Sequence, residues 1–187
     1  GVAERLAMDF GYLNQEGCIN ARVCYVQSGT DDEGVARLNQ LGEMAFAELH
    51  KLPSHLSSPH PAFDRALRDE IQAIRFSNYY KVVGGEGSEG AVIVSQSEEP
   101  VEFAGMLGCR VLNLVPIDDL SEGLDHVNVD TSSVAVYPDR LKEEISMNAA
   151  LRGAQRITSL GMATAEGNAQ PHDAMEPLRR LARWFVI

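Results

Sequence analysis

Long hydrophobic runs are missing from this chain of 187 residues. Its apolar segments are strand-sized, which leaves no candidate for a membrane span. The opening residues Gly1 to Arg5 carry no signal-like hydrophobic stretch. Positive charge is scarce as well: 16 Lys and Arg stand against 27 Asp and Glu, a formal net charge of -11. A surface that acidic repels phosphate backbones, and no basic face is interleaved with aromatics, so nucleic acid is set aside as a partner. One basic ridge, Arg179, Arg180 and Arg183, is left for solvent or for an acidic partner surface. Cysteine is sparse and odd in number, at positions 18, 24 and 109, without metal-ligand spacing. That excludes a full disulfide framework and fits a reducing, cytoplasmic compartment. His50, His55, His60 and His126 show no metal-ligand spacing either, and His55 and His60 fall in a proline-rich segment expected to be solvated.

What is present is ordinary for a soluble domain: 44% hydrophobic and 23% charged residues. The length suits one sizeable core rather than two independent domains, so residues 1–187 are expected to form a single domain. A helical period runs over residues 2–13, and a short strand pattern over 22–27. Gly29 to Asp32 predicts a turn and helix cap, followed by a helix over 32–52 that Pro53 ends. Residues 53–61 read as a surface loop, and a further helix is expected over 61–76. Strand patterns recur at 91–95, 110–117, 133–137 and 156–160, with a helix over 139–151 and a last helix over 171–184. The glycine-rich stretch Gly84 to Gly90 precedes a strand and contains two glutamates, which predicts a flexible loop rather than a phosphate cradle. Apolar strands alternating with helices argue for an α/β fold: three layers, a mainly parallel sheet and helices on both faces.

The chemistry-bearing candidate is Cys18. A helix stops near Leu13, Gly17 adjoins the cysteine, and a strand leaves directly afterwards. A thiol nucleophile needs exposure, a thiolate and donors for the oxyanion formed on attack. A helix-to-strand junction beside glycine offers room and backbone N–H groups. The residues alone leave open whether Cys18 is a nucleophile or a small buried side chain. Cys24 and Cys109 lie in apolar, strand-like surroundings and read as core residues.

The segment Asp9-Phe10-Gly11-Tyr12-Leu13-Asn14-Gln15-Glu16-Gly17-Cys18-Ile19-Asn20-Ala21-Arg22-Val23-Cys24 resembles the nucleophile segment of the aldehyde dehydrogenase superfamily. The branch it most resembles is the long-chain acyl-CoA, or acyl-protein thioester, reductases. Arg110 to Ile117, Gly161, and Pro171-His172-Asp173 through Trp184 are similar to the same branch, in the same order, across nearly the whole chain. Ala174 stands where family members usually have glycine, and residues 128–135 follow the family strand loosely. The resemblance implies an aldehyde-dehydrogenase-like catalytic domain with Cys18 as the acyl-accepting thiolate. It further implies a fatty acyl thioester as substrate, hydride from NADPH, release of aldehyde, and a homo-oligomer. It draws His172 into the site, where its imidazole could tune the thiolate. The family carries its nicotinamide-binding domain mostly ahead of the cysteine, and only seventeen residues precede Cys18. The chain is therefore expected to be a catalytic portion lacking that domain, with NADPH held mainly elsewhere. Two other readings stay open: another aldehyde dehydrogenase or activated-acid reductase, and a noncatalytic oligomerisation or scaffold domain.

Overall fold

The computed structural model describes residues 1–165 and Met175. Helix α1 (Val2–Gly11) leads into a short irregular turn and strand β1 (Val23–Val26). Helix α2 (Asp32–Leu49) starts where the Asp31 carboxylate accepts the Gly34 N–H at 2.7 Å, an N-cap anticipated in the turn sequence. Helix α3 (Arg65–Ile74) begins four residues later than its periodicity predicts, because Asp64 supplies the cap, accepting the Leu67 N–H at 3.1 Å. Strands β2 (Tyr80–Gly84), β3 (Ala91–Ser95) and β4 (Val111–Pro116) follow. Then come helix α4 (Leu120–Asp125), strand β5 (Val134–Val136), helix α5 (Leu141–Arg152) and strand β6 (Ile157–Ser159).

The principal sheet has the order β1-β4-β3-β2. Strands β1, β4 and β3 run parallel, and β2 joins β3 as an antiparallel hairpin arm. Strands β5 and β6 pair in parallel as a second, two-stranded sheet, where a single sheet was expected. The α/β class and mainly parallel pairing are as predicted; β2 and α4 were not anticipated. Both are short, and α4 owes its start to the Asp119 cap rather than to an apolar stripe.

Strands β3 and β4 are buried along their whole length, and alternation decides which helix each residue meets. Val92, Val94, Leu112 and Leu114 pack under Leu6 and Phe10 of α1 and Leu38, Ala45 and Leu49 of α2. Ala91, Ile93 and Val111 face Leu67 and Ile71 of α3 from the other side. A third cluster, Leu124, Val136, Leu141, Ile145 and Ala149, fills the space around the second sheet. With both faces covered, the central strands read as continuous apolar runs. The two polar residues in these strands, Asn113 and Ser95, pair with each other: Asn113 Nδ2 donates to the Ser95 hydroxyl and the Ile93 carbonyl, and its Oδ1 accepts the Val101 N–H.

Gly84 to Gly90 forms the β2–β3 hairpin loop. Gly85 N–H donates to the Gly90 carbonyl, and the Gly84 and Gly85 carbonyls accept from Arg75 and Gln72. It is a hydrogen-bonded hairpin loop. Among the described residues, no helix is long and apolar enough to cross a membrane.

If both faces of the sheet are packed cores, Leu38→Ala and Leu67→Ala should each lower the unfolding free energy by about 2–5 kcal/mol in urea titration. A loss below about 1 kcal/mol at Leu67 would mean that the α3 face is loosely packed.

Candidate active site

The chain approaches Cys18 through an unusual backbone. After α1 ends, Leu13, Asn14 and Gln15 take φ values of 50°, 56° and 64° in succession. Left-handed geometry costs an L-residue roughly 1–2 kcal/mol, so something must impose it three times running. The imposing contacts are hydrogen bonds. Leu13 N–H donates to the Leu56 carbonyl at 2.8 Å, and the Asn14 Oδ1 accepts the Ser58 N–H at 2.8 Å. The Gln15 side chain, 3% exposed, reaches the start of β4. Its Oε1 accepts the Val111 N–H at 2.7 Å, while its Nε2 donates to the carbonyls of Val111 at 2.8 Å and Ala21 at 2.7 Å.

Residues 17–20 then form a tight turn, with Asn20 N–H donating to the Gly17 carbonyl at 3.2 Å. Asn20, also buried, holds this turn from inside. Its Oδ1 accepts the Gly17 N–H at 3.0 Å, and its Nδ2 donates to the main-chain carbonyls of Asp9 and Tyr12, each at 3.0 Å. Glycine is required at 17 for closeness rather than for φ: a Cβ there would stand 2.8 Å from Asn20 Oδ1. Cys18 is at the tip of the turn, exposed and unpaired. Its carbonyl accepts from the Ser132 hydroxyl at 3.2 Å. Neither the Cys18 nor the Ile19 N–H donates to any described residue. An exposed thiol flanked by two open N–H groups is the arrangement that acyl transfer requires.

The loop at residues 53–61 lies on the surface as expected and braces the cysteine turn. Besides its bonds to Leu13 and Asn14, it brings His60 Nε2 to 3.0 Å from Glu16 Oε1. His60 Nδ1 lies 3.2 Å from the Ala62 N–H and accepts it, which puts the ring proton on Nε2 facing Glu16. The His60 side chain is only 14% exposed, against the solvated position predicted. His55 is exposed as predicted. Leu13, Gly17, Ser54, His55 and Ser58 line a shallow groove of about 420 Å³ beside the cysteine turn.

The remaining candidates separate clearly. Cys24 lies on β1, half-buried rather than in the core proper, and packs against the α1–α2 core. Burial, with a smaller contribution from Asp9, pushes its thiol up to about 12. Cys109 is not a strand residue: it is half-buried in a left-handed turn before β4, with φ 55°. His126 stacks on Tyr25 with ring centroids 4.6 Å apart. His172 and the arginines at 179, 180 and 183 lie outside the described residues. Among the described residues no cluster of His, Cys, Asp or Glu could hold a metal ion. Sequence reading assigned no role to Gln15, Asn20 or Asp9. The available signal was a set of polar residues flanking a Gly-Cys pair within an otherwise apolar stretch.

Comparison with known proteins yields two findings. The model of the acyl-CoA reductase (LuxC) family matches residues 1–184. A curated relative, the long-chain acyl-protein thioester reductase of Photorhabdus laumondii, is 26% identical over 191 aligned residues. That alignment covers 98% of this chain and 37% of the relative.

Two outcomes test this geometry. Gln15→Leu, which keeps the bulk and removes the amide, should cost roughly 2–4 kcal/mol by taking the Nε2 donor from the Val111 and Ala21 carbonyls and leaving the Val111 N–H only the Gly108 carbonyl; a loss under about 1 kcal/mol would deny the clamp. In peptide-mapped alkylation at pH 8, Cys18 should label first. A thiol at about 12 is only about one part in ten thousand thiolate at that pH, so Cys24 should stay unlabelled until unfolding. Its labelling should climb about tenfold per pH unit in alkali; equal labelling of the two at pH 8 would contradict the assignment.

Proposed function

Because the chain belongs to the acyl-CoA reductase (LuxC) family, we propose that it supplies the acyl-accepting thiol of a fatty acyl thioester reductase, with Cys18 as nucleophile. The observation that carries this reading is the exposed Cys18 at the tip of a turn where neither its N–H nor that of Ile19 has an acceptor among the described residues. The thiolate attacks the thioester carbonyl, and the oxygen that gains charge is met by those two donors. Preorganised N–H groups of this kind are worth several kcal/mol in acyl transfer. Collapse of the tetrahedral species expels the substrate's thiol and leaves an acyl group on Cys18. A thioester suits this step, since its carbonyl is more electrophilic than a carboxylate's and a thiolate departs readily.

The three-layer α/β arrangement is read as an aldehyde-dehydrogenase-like catalytic domain. NADPH, the hydride donor that the family resemblance implies, finds no fit in the glycine-rich turn. The glycine-rich turn joins two antiparallel strands, carries Glu86 and Glu89, and directs its Gly84 and Gly85 carbonyls to Arg75 and Gln72. It offers no strand–turn–helix cradle for a pyrophosphate. Because the chain spans 37% of the length of its relative, substrate choice between acyl-CoA and acyl-protein, assembly as a homo-oligomer and the cytoplasmic setting stand as parts of the same proposal. His172 keeps its place near the thiol in this reading on the family resemblance alone.

Incubation of the intact protein with a long-chain acyl-CoA should add the mass of one acyl group, and Cys18→Ser should abolish it. An adduct that persists in the serine variant, or none in the parent, would refute the assignment.

A further inference from the structure

Asp9 occupies the last full turn of α1 and is completely buried. It faces two places at once. Its main-chain carbonyl accepts the Asn20 Nδ2 and the Ala21 N–H, both at 3.0 Å, and so anchors the turn that carries Cys18. Its carboxylate accepts the Gly161 N–H at 2.7 Å and the Ala163 N–H at 2.9 Å, more than 150 residues further along the chain. The turn at 161–163 is seated on α1 by shape as well. Gly161 adopts φ +85°, and a Cβ there would lie 3.0 Å from Arg5 Cβ.

An ionised carboxylate is an expensive choice for a sealed interior, and burial raises the Asp9 pKa against the opposing pull of the two N–H groups and Arg156. Arg156 itself donates to the Met162 and Ala163 carbonyls, so the charge and its counter-charge bracket one turn. A neutral amide cannot replace this carboxylate. Each oxygen serves a different N–H, and an asparagine would set its own NH2 against one of them.

We propose that Asp9 is a positioning residue that couples the Gly161–Ala163 turn to the Cys18 turn, so that seating the Gly161–Ala163 turn fixes the N–H groups of Cys18 and Ile19 beside the thiol. The side chain and main chain of one residue are rigidly joined through α1. Releasing the carboxylate therefore frees the end of α1, and with it the carbonyl to which Asn20 and Ala21 are tied. The kinetic half of the test rests on Cys18 accepting an acyl group; the structural half does not.

Hydrogen exchange in the intact protein separates coupling from local damage. Asp9→Asn leaves the acceptor of the Ala21 N–H untouched, yet exchange at Ala21 should quicken at least tenfold together with that at Gly161. Ala163→Pro is the second variant. Residue 163 follows the first residue of the turn closed by Ala165 N–H to the Met162 carbonyl, a position proline favours, and its N–H to Asp9 is lost. The same joint quickening is expected there. Faster exchange at Gly161 with Ala21 unchanged within twofold would overturn the proposal. For catalysis, acylation of Cys18 should fall at least tenfold in both variants while alkylation by iodoacetamide, which develops no oxyanion, stays within twofold. Parallel loss of both rates would reduce Asp9 to a general structural role and also overturn the proposal. A parent protein that takes no acyl group would refute the reading of Cys18 and leave the exchange result to decide the coupling.

Discussion

Two buried side-chain amides, Gln15 and Asn20, hold the region around Cys18 in shape. A primary amide carries a donor and an acceptor on one planar group, as a peptide bond does. Gln15 uses both on Val111, accepting its N–H and donating to its carbonyl, and so takes the part of a neighbouring strand where β4 begins. Asn20 does the same for a turn, accepting the Gly17 N–H while donating to the carbonyls at the end of α1. The left-handed run at Leu13, Asn14 and Gln15 is tolerated only because these bonds over-determine it. With inward-facing polar groups paired in this way, the tip at Cys18 and Ile19 can leave its own N–H groups open.

The same accounting explains why the exposed cysteine is the interesting one. Cys24 lies one strand away, pressed against the α1–α2 core, where the charged form of a thiol is disfavoured. Cys18 has the reverse setting: solvent on one side and a rigid, polar-bonded turn on the other. The loop carrying Leu56, Ser58 and His60 braces the turn from outside, and Ser132 touches it at the Cys18 carbonyl. Exposure and rigidity thus come from different residues, as expected when a functional group is held by its surroundings.

Much of the architecture was legible in the sequence. Periodicity located α1, α2, α3 and α5 and the strands β1, β3, β4, β5 and β6 to within a few residues, because each buries a face of definite period. Boundaries slipped where a cap outweighed the stripe, as at Asp64. Strand β2 escaped because an edge strand with half-buried residues has no strong pattern, and the separate pairing of β5 with β6 is a tertiary choice that local pattern does not encode. At the site, the sequence singled out Cys18 and its neighbouring glycine. It could not reveal Gln15, Asn20 or Asp9 as supports, since their partners lie up to 154 residues away. The placement of His60 was misjudged for a related reason: proline and serine in its loop signal exposure, while three hydrogen bonds between segments distant in sequence decide otherwise.

The central claim is that the turn presents the Cys18 sulfur and two N–H donors to one substrate oxygen. It is tested most directly by a crystal structure of the intact protein with a fatty aldehyde added to Cys18 as a thiohemiacetal. The account predicts the adduct oxygen about 3 Å from the N–H groups of Cys18 and Ile19, the distance at which such donors stabilise an oxyanion. An adduct whose oxygen points to solvent, with those N–H groups turned inward onto the protein, would contradict it.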